Sequence, residues 1–349
     1  MKLGSEHFIA TDNFHIQQVH QTRQLFLNDY NFGLLPSHSP LGLPFTCSLV
    51  MENDQACLTS FSFSLIMPDG TIIRVDSKDF TEEKAGLDTL PLRFSLDTGH
   101  SEHVLIVKAM PYERISYGII NSEEVPLKRP YALQGFRFLI QPSKKIQEGW
   151  FGRDYMVIAR FRLEKSVIEM DTEYIPPVTT MTAHEDMRTF WKNTYEGILQ
   201  LEAYLITIAN KHHAKMSDNL RETLFFMARN LLASISSLRF ELKHHAPHQP
   251  PIFMLIKLKG LASIIWQTLE IRDKTGKDSF LLEVNRVLGL AKKDFVDLIN
   301  KTINMEYHHY KINLFADQAN YFLNTIVKVF GSLAEHDRVI RKTDLKIKS

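Results

Sequence analysis

The chain changes character at Pro176-Pro177. Eleven of its fourteen prolines and ten of its fifteen glycines lie at or before Pro177, and beyond it the only prolines are Pro247, Pro250 and Pro251, gathered in one short break. Proline fixes φ and lacks an N–H, glycine tolerates positive φ, and both interrupt helices. The first part therefore reads as β-rich and turn-rich, and the second as long helices with one interruption. This predicts an α+β chain: a β-sandwich domain with an N-terminal extension over residues 1–178, then an antiparallel helical bundle over 179–349. The proline pair predicts a short, stiff connection, because each ring pushes the residue before it toward extended backbone.

Within the first part, Phe61, Phe63 and Leu65 alternate with Ser60, Ser62 and Ser64, the pattern of a half-buried strand. Pro68-Asp69-Gly70 follows, and then Thr71 to Val75, which predicts a hairpin. His103 to Val107 is a continuous apolar run suited to a central strand, Phe136, Phe138 and Ile140 alternate, and Tyr155–Phe161 with Val167–Tyr174 predict a further hairpin. Many short strands at irregular spacing suggest a sandwich or an open barrel. Residues 14–27 carry helical spacing instead (Phe14, Val19, Phe26) and are expected to lie across the sandwich.

In the second part, Thr182 and Glu185 have the spacing of a capping box, and Ile198, Leu201, Leu205 and Ile208 follow at heptad steps. Ser217 is placed to cap a second helix carrying Leu220, Leu224, Met227, Leu231, Ile235 and Leu238. A third helix spans 252–271, a polar break covers 272–277, and a shorter helical piece covers 280–303. The last helix has the cleanest seam, with Phe315, Ala319, Phe322, Ile326, Val329 and Leu333 at steps of four and three. Together the two seams offer more apolar surface than one bundle needs, so part of it is expected to close an axis between copies of the chain.

Composition and motifs exclude several function classes. The formal net charge of +1 gives no field for nucleic acid or an anionic membrane. Cys47 and Cys57 are too few for a disulfide framework and fit free thiols in a reducing compartment. The N-terminus lacks the apolar core of a signal peptide, no stretch is expected to cross a membrane, and a cytoplasmic location follows. No nucleophile elbow, zinc-protease, phosphate-loop or dinucleotide motif occurs, so no enzyme activity and no cofactor are expected. His244, His245 and His248 form a metal-like cluster, with His212-His213 and His308-His309 as further pairs, but adjacent histidines on a helix diverge by about 100°. They read as a solvated helix end and not as a metal site. Asp171 and Glu173 imitate paired carboxylates on one strand face and are expected to face solvent. The basic run Arg338, Arg341, Lys342, Lys346 and Lys348 reads as a charged tail.

Several stretches, in order, resemble the TssK family of type VI secretion baseplate proteins. His7 to Gln18 keeps the two aromatic anchors, Phe8 and Phe14, and the glutamines of the family's opening G-x-F-L-x-P-x-H-F-Q-x-Q segment, without its proline and the histidine before the second aromatic. Tyr30-Asn31-Phe32-Gly33-Leu34-Leu35 matches the next segment, Pro68-Asp69-Gly70 the first-sheet hairpin, Tyr174-Ile175-Pro176-Pro177 the exit from the sandwich, and Pro250-Pro251 through Gly260-Leu261-Ala262 the proline break and the helix after it. The resemblance implies a homotrimer with a β-sandwich shoulder and a helical neck, docked on TssF and TssG wedge proteins. It also implies a membrane-complex partner of unidentified kind at the inner face of the inner membrane. About fifteen residues follow the last seam, so the family's C-terminal head domain is expected to be absent, as in a divergent Bacteroidetes-type member. The expected partner surface is Phe8, Ile9, Phe14, Gln17 and Gln18; the expected seam is Ile198, Leu201, Leu205, Ile208, Phe315, Phe322, Ile326, Val329 and Leu333. A phage tail or receptor-binding protein of similar layout is the near alternative, and a hydrolase with a site between sandwich and bundle the distant one.

Overall fold

A computed structural model describes residues 4–80, 90–120, 123, 125, 129–146, 153–164, 167–210 and 217–346. The chain divides into two compact units, the first formed by Met1–Glu185 with His309–Ile312, the second by Asp186–His308 with Asn313–Ser349.

The first unit is a sandwich of two antiparallel sheets behind an N-terminal helix, α1 (Ser5–Gln24). Sheet one is organised by β3 (Gln55–Ile66). Ser62 pairs with Thr46 of β2 (Thr46–Glu52) on one side and with Asp76 of β4 (Ile72–Asp76) on the other. The short β1 (Gly33–Leu34) continues the β2 edge, and β5 (Leu92–Ser95) shares the β4 edge. Sheet two has the order β7 (Tyr131–Pro142), β6 (Glu102–Tyr117), β8 (Tyr155–Glu164), β9 (Val167–Met170). The apolar run beginning at His103 falls on the central β6, where Val104 to Val107 are buried on both faces.

Aromatic rings join the sheets: Phe61 and Phe63 of β3 lie 4.9 and 6.1 Å from Phe138 of β7, and Phe80 contacts both Phe61 and Phe136. Each such side chain contributes about 1.5–3 kcal/mol by burial, and each aromatic pair about 0.5–1.5 kcal/mol more. The serine face of β3 is not the open face that alternation predicts. Ser62 and Ser64 are buried too; Ser62 donates to Asp76, whereas the Ser64 hydroxyl has no hydrogen-bond partner among the described residues, a cost of about 1–3 kcal/mol.

The Pro68-Asp69-Gly70 turn forms as the sequence predicts. Gly70 N donates to Met67 O, Gly70 has φ +89°, and the Asp69 carboxylate accepts from both the backbone N and the hydroxyl of Thr71. β9 ends at Met170 and not at Tyr174, because Asp171 accepts from Glu173 N in a turn and Tyr174 swings inward to donate its hydroxyl to Val157 O. Asp171 and Glu173 thus sit in an exposed turn and share no strand face. The exit segment then pairs with β1. Leu34 N donates to Pro177 O at 2.8 Å, Thr179 N to Leu34 O at 3.0 Å, and Tyr174 to Val178 are all buried.

The second unit holds six helices among its described residues. They are α2 (Glu185–Asn210, its first residue in unit one), α3 (Asp218–His244), α4 (Ile252–Ile271), α5 (Lys274–Leu288), α6 (Lys292–Ile303) and α7 (Ile312–Lys346, likewise). Ser217 caps α3 by accepting from Leu220 N. The polar break is only two residues long: Asp273 accepts from Gly276 N and starts α5, so Lys274 to Lys277 are helical. The piece predicted over 280–303 is two helices, split where Gly289 takes φ +66° and ends α5. α3 runs antiparallel to α4, linked by Asn230–Thr268 and Glu222–Arg272 contacts. α2 and α7 instead run parallel, with Phe190 on Phe315, Gly197 under Leu323 and Gly331 under Tyr204. α4 has the length and composition to cross a membrane, contrary to the sequence expectation. Yet it buries Met254, Leu255, Leu258, Leu261, Ala262, Ile265 and Leu269 among its neighbours, and Lys259 donates to Met305 O, which is the behaviour of a core helix.

Two predictions follow from packing. At Gly33, with φ +116°, an added Cβ would overlap the Pro177 carbonyl, whereas at Gly260 on α4 it would meet nothing within 4 Å. Gly33→Ala should cost about 4 kcal/mol or more in urea unfolding, and Gly260→Ala should add about 0.5–1 kcal/mol. The second concerns His309, which is buried against Phe32 and bonded through Nε2 to Phe32 O at 2.8 Å. Desolvation lowers its pKa to about 4 from 6.5. Between these values the unfolded chain binds more protons, so this contribution is full above pH 6.5 and is lost as pH falls toward 4. It amounts to about 3 kcal/mol. The difference in stability between the wild type and His309→Gln, measured at pH 7 and at pH 4.5, should shrink by that order.

Candidate partner interface

α1 begins at Gly4, whose N–H donates to His7 Nδ1, and carries Glu6 in its first turn and Arg23 in its last, the signs that suit the helix dipole. It starts earlier and ends earlier than apolar spacing predicts. Its apolar residues face solvent: Phe8 is 65%, Ile9 59% and Phe14 57% exposed, with Leu25 and Phe26 beyond its end also exposed. They do not cap the core. Gln17 and Gln18 are exposed as well, Gln18 reaching Gln21.

These five residues do not form one patch. At about 100° per residue, Phe8 and Ile9 bracket the side that also carries Asp12, Ile16, Val19 and Arg23, whereas Phe14, Gln17 and Gln18 occupy the opposite side.

The helix is held at three places within the first unit. Arg23 donates to Gly70 O at 3.0 Å and Gln24 to Asp69 O at 2.9 Å, so its last turn rests on the β3–β4 turn. Gln134 lies 3.5 Å from His20 Nε2, and Asp12 lies 3.5 Å from Arg114. Both of those partners belong to a ribbon that sequence reasoning missed. Beyond Met110, strands β6 and β7 continue as a pair, after a bulge in which Pro111, Tyr112 and Glu113 stand opposite no residue of β7 in the strand register. The bulge re-aims the ribbon. Arg114, Ala132 and Gln134 line a cavity of about 380 Å³ with Asp12, His15, Ile16, Val19, His20 and Arg23 of α1. Pairing puts Ile115, Tyr117, Tyr131 and Leu133 on the ribbon's other face, with Tyr131 and Leu133 exposed. Their alternation was the available signal.

The cavity's chemistry is cationic. Burial lowers the pKa of His20, opposed by nearby Asp69, and burial also lowers that of Arg23. Both shifts share one cause, burial, and both run downward. Elsewhere, the His244 ring packs at a tilt against Phe240, His308 lies near Glu306, and His212-His213 fall outside the described residues. Among the described residues no group of three His, Cys, Asp or Glu side chains is gathered as a metal site requires. Cys57 is buried, and desolvation pushes the Cys47 thiol up to about 12, so neither is a ready thiolate. The side chains of the C-terminal basic run lie outside the described residues.

The seam residues Ile198, Leu201, Leu205, Ile208, Phe315, Phe322, Ile326, Val329 and Leu333 are all buried inside a single chain. The expectation that part of this seam closes an axis between copies is therefore corrected: those side chains are consumed by the bundle.

Because the α1 aromatics are exposed, Phe8→Ala and Phe14→Ala should each shift the unfolding free energy of the isolated protein by less than about 0.5 kcal/mol. Gly70→Ala, which would bring a Cβ to 2.9 Å from His20 O at positive φ, should cost about 1 kcal/mol or more. It should also speed amide exchange along α1.

No protein-family model matches the chain, and no curated protein sequence matches it significantly. Solved structures do. A crystal structure of TssK superposes with a TM-score of 0.55 at 13% identity, covering 94% of this chain and 70% of that one. TssK in the cryo-electron-microscopy structure of a type VI secretion TssK–TssF–TssG baseplate subcomplex gives 0.52 at 15% identity, covering 94% and 96%. TssK from the type VI secretion system of EAEC, bound to a nanobody, gives 0.50 at 14%, covering 92% and 99%. Over nearly all of its length, this chain has a TssK-like fold.

Proposed function

We propose that this chain is a structural subunit of a type VI secretion baseplate. In this reading it is a homotrimeric adaptor on the cytoplasmic side of the inner membrane, linking a TssF–TssG wedge to a membrane-anchoring complex. The observation that carries the proposal is the fold shared along 94% of the chain with TssK, including TssK in a subcomplex with TssF and TssG. The exposed apolar residues of α1 and of the ribbon support a partner-binding role, since aromatic side chains are enriched at interaction sites.

With the seam buried, self-association needs another surface. The outer side of α3 offers one: Phe225 and Phe240 are exposed near its two ends, and Ala233, Ser236 and Ser237 between them would let a second helix approach closely.

Light scattering of the purified chain should give three times its mass, and Phe225→Glu with Phe240→Glu should reduce this to one. Co-expressed TssF and TssG should co-purify with the full chain. Deleting residues 1–18 should abolish that co-purification and leave the trimer intact. A stable monomer would overturn the trimer, and retained co-purification would move the wedge surface off α1.

A further inference from the structure

We infer that the cavity between α1 and the β6–β7 ribbon is a receptor for an acidic side chain presented by a partner protein. Its lining carries two guanidinium groups, Arg23 and Arg114, against one carboxylate, Asp12. That carboxylate neutralises little, because the Asp12 side chain is 70% exposed and only reaches Arg114 at 3.5 Å, while the Arg114 side chain is 32% exposed. Arg114 otherwise donates to a carbonyl, Pro111 O, at 3.3 Å.

Arg23 is less compensated still. Its hydrogen bond is to the Gly70 carbonyl, and no carboxylate of the described residues lies within ion-pair distance of it. The neighbouring Asp69 accepts from Thr71 and keeps its charge, which acts on His20, but it makes no ion pair with Arg23. Partial burial lowers the Arg23 pKa, which is what a cation without a counter-ion undergoes.

A half-buried surplus of positive charge at an open cavity is complementary to an anion, and guanidinium matches carboxylate geometry. Ile16, Val19 and Ala132 supply an apolar wall for the methylene groups of Glu or Asp and for an apolar neighbour in the same segment. The exposed Phe8 and Ile9 continue this side of α1 by one turn, so the occupant is an acidic residue flanked by apolar ones, in a protruding loop or terminus.

The identification of the partner rests on the wedge reading proposed above; the chemistry of the cavity does not. The probe is a set of fluorescein-labelled short peptides tiling the TssF and TssG sequences encoded with this chain, titrated against the full-length protein by fluorescence anisotropy. A peptide with an acidic residue beside an apolar one should bind. Arg114→Gln should weaken it about tenfold, as should replacing that acid by its amide, and combining the two changes should weaken it no further. Arg114→Gln leaves the Arg23–Gly70 anchor in place, and a thermal melt checks that the fold survives; Arg23→Gln is the second variant.

Binding indifferent to both arginines, or binding of no peptide, would overturn the inference. So would competition by inorganic phosphate as strong as that of the peptide, which would mark a free-anion site. If deleting residues 1–18 abolishes co-purification while the arginine variants retain it, the wedge reading stands and the cavity inference falls. If arginine-dependent peptide binding persists while neither TssF nor TssG co-purifies with the full chain, the cavity inference stands and the wedge reading falls.

Discussion

The pairing of β1 with the exit segment is the contact on which the β unit depends. Leu34 sits between Pro177 and Thr179, donating to one backbone and accepting from the other, and it bridges Val178 in parallel while its own strand pairs with the end of β3. Residues more than 140 positions apart are thereby joined at the strand that also organises sheet one. The contact requires Gly33, because any side chain there would collide with the Pro177 backbone. It also explains the proline pair. Two prolines have no N–H groups to leave unsatisfied in a buried segment, and the one carbonyl that faces β1 has its donor.

His309 adds a second tie of the same kind. The stretch His309–Ile312 belongs to the β unit although it stands between two helices of the other, and its ring lies edge-on to Phe32, directly before Gly33 and Leu34. A neutral imidazole tolerates that burial; an imidazolium does not. The closure of the β unit therefore combines a steric requirement at Gly33 with an electrostatic one at His309.

The broad architecture was legible because its signals are local. Pro68, Asp69 and Gly70 each specify their own turn geometry, and the heptad steps of α3 and α7 coincide with burial at each position. What was not legible depended on competing signals or distant partners. Gly289 lies inside an apolar rhythm that continues across it, so α5 and α6 read as one piece. Asn53 and Asp54 both adopt positive φ in a two-residue hairpin turn, a role usually signalled by glycine. The parallel course of α2 and α7 is set by Gly197 and Gly331 receiving Leu323 and Tyr204, and no short window of sequence pairs those residues. Of the candidate interface, the aromatic residues of α1 were visible in the sequence, but their distribution on two sides of the helix and the bulged ribbon that holds it were not.

α1 breaks the rule by which the other helices were found. In α2, α3 and α7 apolar periodicity and burial coincide, whereas in α1 the large apolar residues are exposed and polar ones make the attachments, through Arg23, Gln24, His20 and Asp12. The exposed Asp12–Arg114 pair contributes about 0–1 kcal/mol, as a surface ion pair does, while the contacts of Arg23, Gln24 and His20 are part-buried. The helix is thus held by polar contacts and leaves its large apolar side chains exposed. Such an arrangement is costly in solubility unless another surface covers it. The bulge at Pro111–Glu113 fits the same logic, because a ribbon that simply continued β6 and β7 would not turn Arg114 and Gln134 toward α1. Helix and ribbon together present apolar side chains outward around a cationic cavity, and that combination selects for a partner with acidic and apolar residues side by side.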